Sequence, residues 1–139
     1  MCTLNKTVVI DSNHKYFFSD LHRRSSNKHK SKWTIGLLEE RDCFQLSCEN
    51  EWMNSTCGWS LYIINGKIKC LGTNDKNIKL KIAKFVDKNG TGLWHGYPAD
   101  YVTNNQDKPE IAILKKWVMQ KYIDKVGMSR ILSGKQGGI

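Results

Sequence analysis

The densest group of residues able to do chemistry lies in one short segment, from Leu93 to Tyr101. An imidazole with an ordinary pKa of about 6.5 exchanges protons readily near neutral pH. His95 is therefore a candidate general acid or base, and Asp100 is a candidate to orient it. The rings of the same segment could stack on a nucleic-acid base; they belong to Trp94, Tyr97 and Tyr101. The alternative is a buried aromatic corner in which His95 is satisfied by a backbone carbonyl.

A second candidate site lies in the basic segment 14–32, which holds six Lys or Arg, three His and one acidic residue. Arg23 and Arg24 stand together within it. The guanidinium group offers a planar fork of donors that matches the oxygens of a phosphate. The segment therefore predicts phosphate contacts, and a solvated run of charge is the alternative.

Four lysines form a third candidate group, because they alternate with apolar residues in two strand-like runs. Side chains of successive strand residues point to opposite faces of a sheet. If the two runs pair, one face becomes rich in lysine and could contact a phosphate backbone. These residues are Lys67, Lys69, Lys79 and Lys81.

No motif in the chain indicates a cofactor or a metal. The cysteines are Cys2, Cys43, Cys48, Cys57 and Cys70. Their spacing matches neither a disulfide framework nor a zinc framework, and no glycine-rich nucleotide-binding loop or zinc-protease motif occurs. We therefore expect reduced, mostly buried thiols, no metal site and no cofactor.

The net charge narrows the choice of partners. The chain has 139 residues and a formal charge of +9, with an isoelectric point of about 9.4. Such a balance favours an anionic partner, either nucleic acid or an acidic protein. Acidic residues concentrate instead in segment 39–51, which holds five of them and one Arg.

The elements that must position these residues are mainly strands. Apolar or β-branched content predicts three strands, at Thr7–Ile10, Trp33–Leu38 and Cys43–Ser47. Two hairpins are also predicted: one turns at Asn65-Gly66, a pair suited to a type I′ turn, and the other turns near Asp87–Gly90. Ser25–Ser31 reads as an exposed loop.

The last third of the chain predicts two helices. Asp107 and Glu110 have the spacing of a capping box, and apolar residues then recur at helical intervals from Ile111 to Tyr122. A second helix is expected from Asp124 to Leu132, ended by Gly134.

These elements together predict one α+β domain over residues 1–139, with a mainly antiparallel sheet of five or six strands followed by two C-terminal helices. No apolar run is long enough to span a bilayer or to act as a secretory signal, which favours a cytoplasmic location. Three functions fit: a nucleic-acid-binding domain that prefers RNA to DNA, a domain that docks on an acidic protein, and a metal-independent ribonuclease using His95. Whether the protein is an enzyme stays open at this point.

Overall fold

A computed structural model describes residues 2–24 and 29–139. Nine strands and three α-helices are found within these ranges. The strands are β1 (Thr7–Val9), β2 (Lys15–Phe17), β3 (Lys32–Trp33), β4 (Cys57–Ile64), β5 (Lys67–Lys69), β6 (Gly72–Thr73), β7 (Lys79–Leu80), β8 (Ile82–Val86) and β9 (Leu93–Ala99). The helices are α1 (Leu37–Glu49), α2 (Ile111–Met119) and α3 (Lys125–Leu132), with a short 3₁₀ helix at Asn105–Asp107.

The main sheet has six strands in the order β1-β2-β9-β8-β4-β5, and β3-β6-β7 form a small second sheet. Every neighbouring pair of the main sheet is antiparallel except β2 and β9, which run parallel. The predicted α+β class, the mainly antiparallel sheet and the two C-terminal helices are therefore confirmed.

Both predicted hairpins are present. Asn65 and Gly66 join β4 to β5 and have positive φ angles of 51° and 76°, as a type I′ turn requires. The second hairpin joins β8 to β9 and places Val86 opposite His95. Pairing with β8 thus sets the register of the strand that carries His95.

Helix α1 replaces a predicted strand, so the interpretation of Cys43–Ser47 was wrong. The run is helical because its buried residues recur with a helical period, at Glu40, Cys43, Phe44 and Ser47. The Glu39 carboxylate also accepts a hydrogen bond from the Gly36 backbone N–H over 3.0 Å at the start of the helix. Of the predicted strand at Trp33–Leu38, only Trp33 lies in a strand, β3, and the last two residues of the range belong to α1.

The C-terminal helices follow the prediction except at one end. Asp107 does not cap α2; it ends the 3₁₀ helix, and Glu110 occupies the N-cap position without a side-chain cap bond. Asp124 caps α3 by accepting a hydrogen bond from the Gly127 N–H over 2.7 Å. Gly134 follows α3 with a φ of 68°, the left-handed conformation expected just beyond a helix end.

The main sheet separates two hydrophobic cores. Helix α1 covers one face, where Phe44 packs with Tyr16, Phe85 and Trp94. Helices α2 and α3 cover part of the other face, where Trp117 belongs to the second core. His95 and Tyr97 of β9 lie on that face, where the first is exposed and the second is half-buried.

The four lysines do not collect on one face. Lys67 and Lys69 lie on β5, at the edge of the main sheet, whereas Lys79 lies on β7 of the small sheet. Lys81 falls between β7 and β8. The two runs do not pair with each other, because β5 pairs with β4 alone and β7 pairs with β6.

All five cysteines are free, with Cys43 buried and the other four half-buried.

The predicted loop at Ser25–Ser31 falls mainly on residues 25–28, which lie outside the described residues. Of its remaining residues, His29 and Lys30 are exposed. No helix in the described part of the chain combines the length and apolarity needed to cross a bilayer.

Candidate functional site

Strand β9 divides its side chains between the two faces of the main sheet. Trp94 is 3% exposed and packs in the core beneath α1. His95 and Tyr97 point to the opposite face because side chains alternate along a strand. His95 is exposed and Tyr97 is half-buried, so this face presents both to a ligand.

The central contact of this region is a stack between two rings. The imidazole of His22 lies almost parallel to the phenol ring of Tyr97, with centroids 4.9 Å apart and an interplanar angle of 17°. This is a stacked geometry of the kind aromatic pairs favour. The contact joins the turn that follows β2 to the middle of β9.

A backbone carbonyl defines the tautomer of His22. Its Nδ1 lies 2.9 Å from the carbonyl oxygen of Ser31. A carbonyl can only accept, so Nδ1 carries a proton and donates it. In the neutral ring, Nε2 then keeps a free lone pair and can accept a hydrogen bond or a proton.

The Tyr97 hydroxyl is fixed by a buried carboxylate. It donates to Oδ1 of Asp107 over 2.7 Å, while Oδ2 of Asp107 accepts from the backbone N–H of Asp100 over 2.9 Å. Burial and the adjacent Asp107 charge raise the pKa of Tyr97 well above its usual range. Tyr97 is therefore a neutral, oriented ring rather than an acid–base group.

A buried ion pair holds the turn that carries His22. The Arg23 guanidinium donates to Oε1 of Glu40 over 2.7 Å and to the carbonyl of Ile35 over 2.9 Å. Oε2 of Glu40 accepts the Tyr16 hydroxyl over 2.5 Å. Since Glu40 is only 1% exposed, this network anchors Arg23 to α1 and fixes its neighbour His22.

Both histidines of this region have lowered pKa values. Burial lowers the pKa of His22 to about 4, assisted by the positive charges of Lys30 and Lys32 and by His95. The hydrogen bond to Ser31 acts in the opposite direction. Protein atoms also crowd the ring of His95 and lower its pKa, against the charge of Asp87. Both rings are thus neutral at pH 7.

His22 and Tyr97 line an open groove of about 580 Å³, here called the His22–Tyr97 groove. Its other walls come from the segment before β3, the loop after β6 and the region around the 3₁₀ helix. His29, Lys30 and Lys76 bring cationic or titratable groups to it. Asp75 also lines it and is exposed. The groove therefore combines a stacked aromatic pair with two exposed lysines, Lys30 and Lys76, and with the carboxylates of three aspartates, Asp75, Asp100 and Asp107.

The other predicted site residues of β9 and its following loop are used inside the fold. Asp100 is 8% exposed and accepts hydrogen bonds from Asn74 Nδ2 over 3.1 Å and from the Thr103 hydroxyl over 2.6 Å. Asp100 therefore supports the groove wall and makes no hydrogen bond with His95.

Tyr101 is 9% exposed, and its hydroxyl donates to the carbonyl of Lys135 over 2.8 Å. With Trp94 buried as well, Tyr97 is the candidate aromatic residue that reaches the groove.

The predicted phosphate-contacting residues lie away from the groove or are already paired. Arg24 forms an ion pair with Asp20, and Arg23 pairs with Glu40. Lys79 and Lys81 line a separate cavity beside Tyr101 and the C-terminal residues. Lys67 and Lys69 lie on β5, three strands from β9, a spacing of about 14 Å across the sheet.

The structure adds His22 and Asp107 to the site. His22 was visible only as part of a basic segment, and Asp107 resembled a helix cap. Their contacts with Tyr97 connect distant parts of the chain, so no local spacing could have indicated the stack. Within the described ranges, metal-ligating atoms converge elsewhere, at Asp11, His14 and Cys48.

Comparison of the chain with protein-family models, with curated proteins and with solved structures finds no significant match. The function must therefore be inferred from the geometry of the site.

Proposed function

We propose that the protein binds single-stranded RNA in the His22–Tyr97 groove. The observation that carries this proposal is the stacked pair itself, an oriented aromatic surface that lines an open groove with two exposed lysines, Lys30 and Lys76, at its rim. Stacking on an aromatic ring holds an unpaired base whatever its identity. The net charge of +9 adds a sequence-independent attraction for phosphates.

Unpaired RNA fits this groove better than a duplex. The bases of a duplex are stacked on one another and present only their edges, whereas a single strand can turn a base onto a protein ring. Polar groups near the stack suit the ribose hydroxyl, which both donates and accepts hydrogen bonds. They include Thr103 and Asn104 in the groove wall. These features support a preference for RNA.

Lysines at the rim are the proposed phosphate contacts, in place of those on β5. Lys30 and Lys76 line the groove and are exposed. The two buried carboxylates of the groove lining, Asp100 and Asp107, accept hydrogen bonds from neighbouring protein groups. The test is retardation of a labelled single-stranded RNA by the protein, compared between groove variants and variants of the β5 lysines.

Cleavage of the bound RNA is a second candidate function, favoured by the placement of two histidines. His95 acts electrostatically on His22, and the defined tautomer of His22 leaves Nε2 able to accept a proton. In such a reaction a base takes the proton of the ribose 2′-hydroxyl, whose oxygen attacks the adjacent phosphorus. An acid then protonates the departing 5′-oxygen as its bond to phosphorus breaks.

His22 would be the base and protonated His95 the acid in this scheme. Because the pKa of both rings is lowered, the required protonated form of His95 becomes common only below neutral pH. Cleavage products on a denaturing gel, lost in His95→Ala while the fold is retained, would establish it. Intact RNA in complexes formed at pH 5.5 to 7 would exclude it.

A further inference from the structure

A group of metal-ligating side chains lies on the other side of the main sheet, near the end of α1. Asp11 and His14 belong to the loop between β1 and β2, and Cys48 lies in the last turn of α1. One ligating atom from each residue lies within 4.8 Å of the other two. The His14 ring packs near Phe44 and Trp94, with centroids 6.2 and 6.3 Å away.

The chemistry of these three donors is that of a zinc site. Carboxylate oxygen, imidazole nitrogen and thiolate sulfur are the protein ligands that Zn²⁺ uses, usually in tetrahedral geometry. From the usual bond lengths, ligand atoms around Zn²⁺ stand about 3.3 to 3.6 Å apart. Bringing Cys48 within that distance of the other two requires a contraction of about 1 Å at a surface loop.

Asp11 and His14 are already arranged as a ligand pair. His14 Nδ1 lies 2.7 Å from Oδ1 of Asp11 and 2.9 Å from Oδ2. The Asn13 backbone N–H donates to the same carboxylate over 2.8 Å and orients it. A metal ion would replace the proton shared by the two side chains, and they would separate by about 0.6 Å to reach ligand spacing.

The local charge also suits a cation. The carboxylates of Asp11 and Glu49 both act electrostatically on Cys48. The hydrogen bond between Asp11 and His14 orients those two residues, and Cys48 packs beside them against the core that contains Phe44 and Trp94. A cation bound by all three would use every donor of the group.

We propose that Asp11, His14 and Cys48 form a binding site for a zinc-type divalent metal, with water as the fourth ligand. The metal would link the β1–β2 hairpin to α1 across the core that contains Phe44 and Trp94. This face of the sheet is opposite to the His22–Tyr97 groove, so the proposal does not depend on RNA binding.

The test is titration of the reduced full-length protein with Co²⁺ and then Zn²⁺. We expect one equivalent of Co²⁺ to give a thiolate-to-metal absorption band that Zn²⁺ displaces. Cys48→Ser should abolish the band, and His14→Ala and Asp11→Asn should each weaken Zn²⁺ binding by at least about tenfold. Cys57→Ser, which removes another half-buried thiol, should leave the band unchanged.

Thermal unfolding gives a second readout. Zn²⁺ should raise the unfolding midpoint of the wild type and of Cys57→Ser, but not that of Cys48→Ser, since a ligand that binds only the folded state stabilises it. The proposal is overturned if the wild type shows no thiolate band, if Cys48→Ser keeps it, or if Cys57→Ser loses it.

Discussion

The ring of His22 lies against the ring of Tyr97 with 4.9 Å between centroids and 17° between planes, although the two residues are far apart in the sequence. The contact brings the turn that carries His22, which is anchored to α1, against strand β9. Any change that releases the turn should therefore also disturb the groove.

The lowered pKa of His22 predicts a specific dependence of stability on pH. Its pKa is about 4 in the fold and 6.5 in its ordinary state, so the unfolded chain binds the proton first as pH falls. The contribution of neutral His22 to stability is therefore complete above pH 6.5 and is lost between pH 6.5 and 4. Allowing for partial exposure, we expect about 2 kcal/mol.

Urea unfolding at pH 7.5 and pH 4.5 measures this dependence. His22→Gln should reduce the difference between the two free energies of unfolding by about 2 kcal/mol. The matched control is His29→Gln, which changes an exposed histidine of the same segment. An unchanged difference in His22→Gln would show that His22 is not held neutral by the fold.

The buried ion pair predicts a strong asymmetry between single and double variants. Arg23→Met leaves the Glu40 carboxylate buried without its partner and should cost about 3 to 5 kcal/mol of unfolding free energy. The double variant Arg23→Met/Glu40→Leu should recover a large part of that loss. Arg24→Met, which breaks the exposed pair with Asp20, should cost about 1 kcal/mol or less.

Equal losses in Arg23→Met and Arg24→Met would contradict this account of the anchor. The same variants also test RNA binding. Because Arg23 is already paired with Glu40, it is not expected to contact RNA phosphates. Arg23→Met should therefore weaken RNA binding only by displacing the turn that carries His22, and the salt dependence of the RNA affinity should stay the same.

Tyr97 variants separate stacking from hydrogen bonding. Tyr97→Phe keeps the ring but removes the donor to the buried Asp107, so we expect a loss of about 2 kcal/mol in stability with RNA affinity nearly retained. Tyr97→Leu removes the ring and should weaken RNA binding by about 5- to 150-fold. Fluorescence anisotropy with a labelled RNA, under conditions where both variants are folded, measures the difference.

The salt dependence of binding identifies the lysines that contact phosphate. Lys30→Gln and Lys76→Gln, at the groove, should each reduce the slope of log affinity against log salt by about 0.7. Lys67→Gln and Lys69→Gln, on β5, should leave the slope unchanged because they lie three strands away. The opposite pattern would place the RNA on the edge of the sheet.

Local signals account for the parts of the fold that the sequence predicted well. Asn65-Gly66 indicated one hairpin, the period of the apolar residues indicated α2, and Gly134 marked the end of α3. Helix α1 was missed because two of its buried positions are the polar residues Glu40 and Ser47. Glu40 is tolerated inside only because Arg23 and Tyr16 reach it, and neither contact can be read from the sequence of the helix.

The candidate site likewise contains residues that the sequence placed together and residues that only the fold brings together. His95 and Tyr97 are neighbours on one strand, so alternation alone places them on one face, as the β9 segment suggested. The partners of Tyr97 come from the turn at His22 and from Asp107, and only the folded chain brings them together. Arg23 likewise resembled a phosphate ligand until the fold showed it paired with Glu40.

The most direct measurement is the binding of a labelled single-stranded RNA by the wild type and by Tyr97→Leu at low and moderate salt, read on native and denaturing gels. Binding of RNA in the His22–Tyr97 groove predicts salt-sensitive retardation by the wild type and a clear loss of affinity in Tyr97→Leu, with Tyr97→Phe close to the wild type. Absence of retardation at low salt, or equal binding by Tyr97→Leu, would contradict it and would turn attention to an acidic protein as the partner.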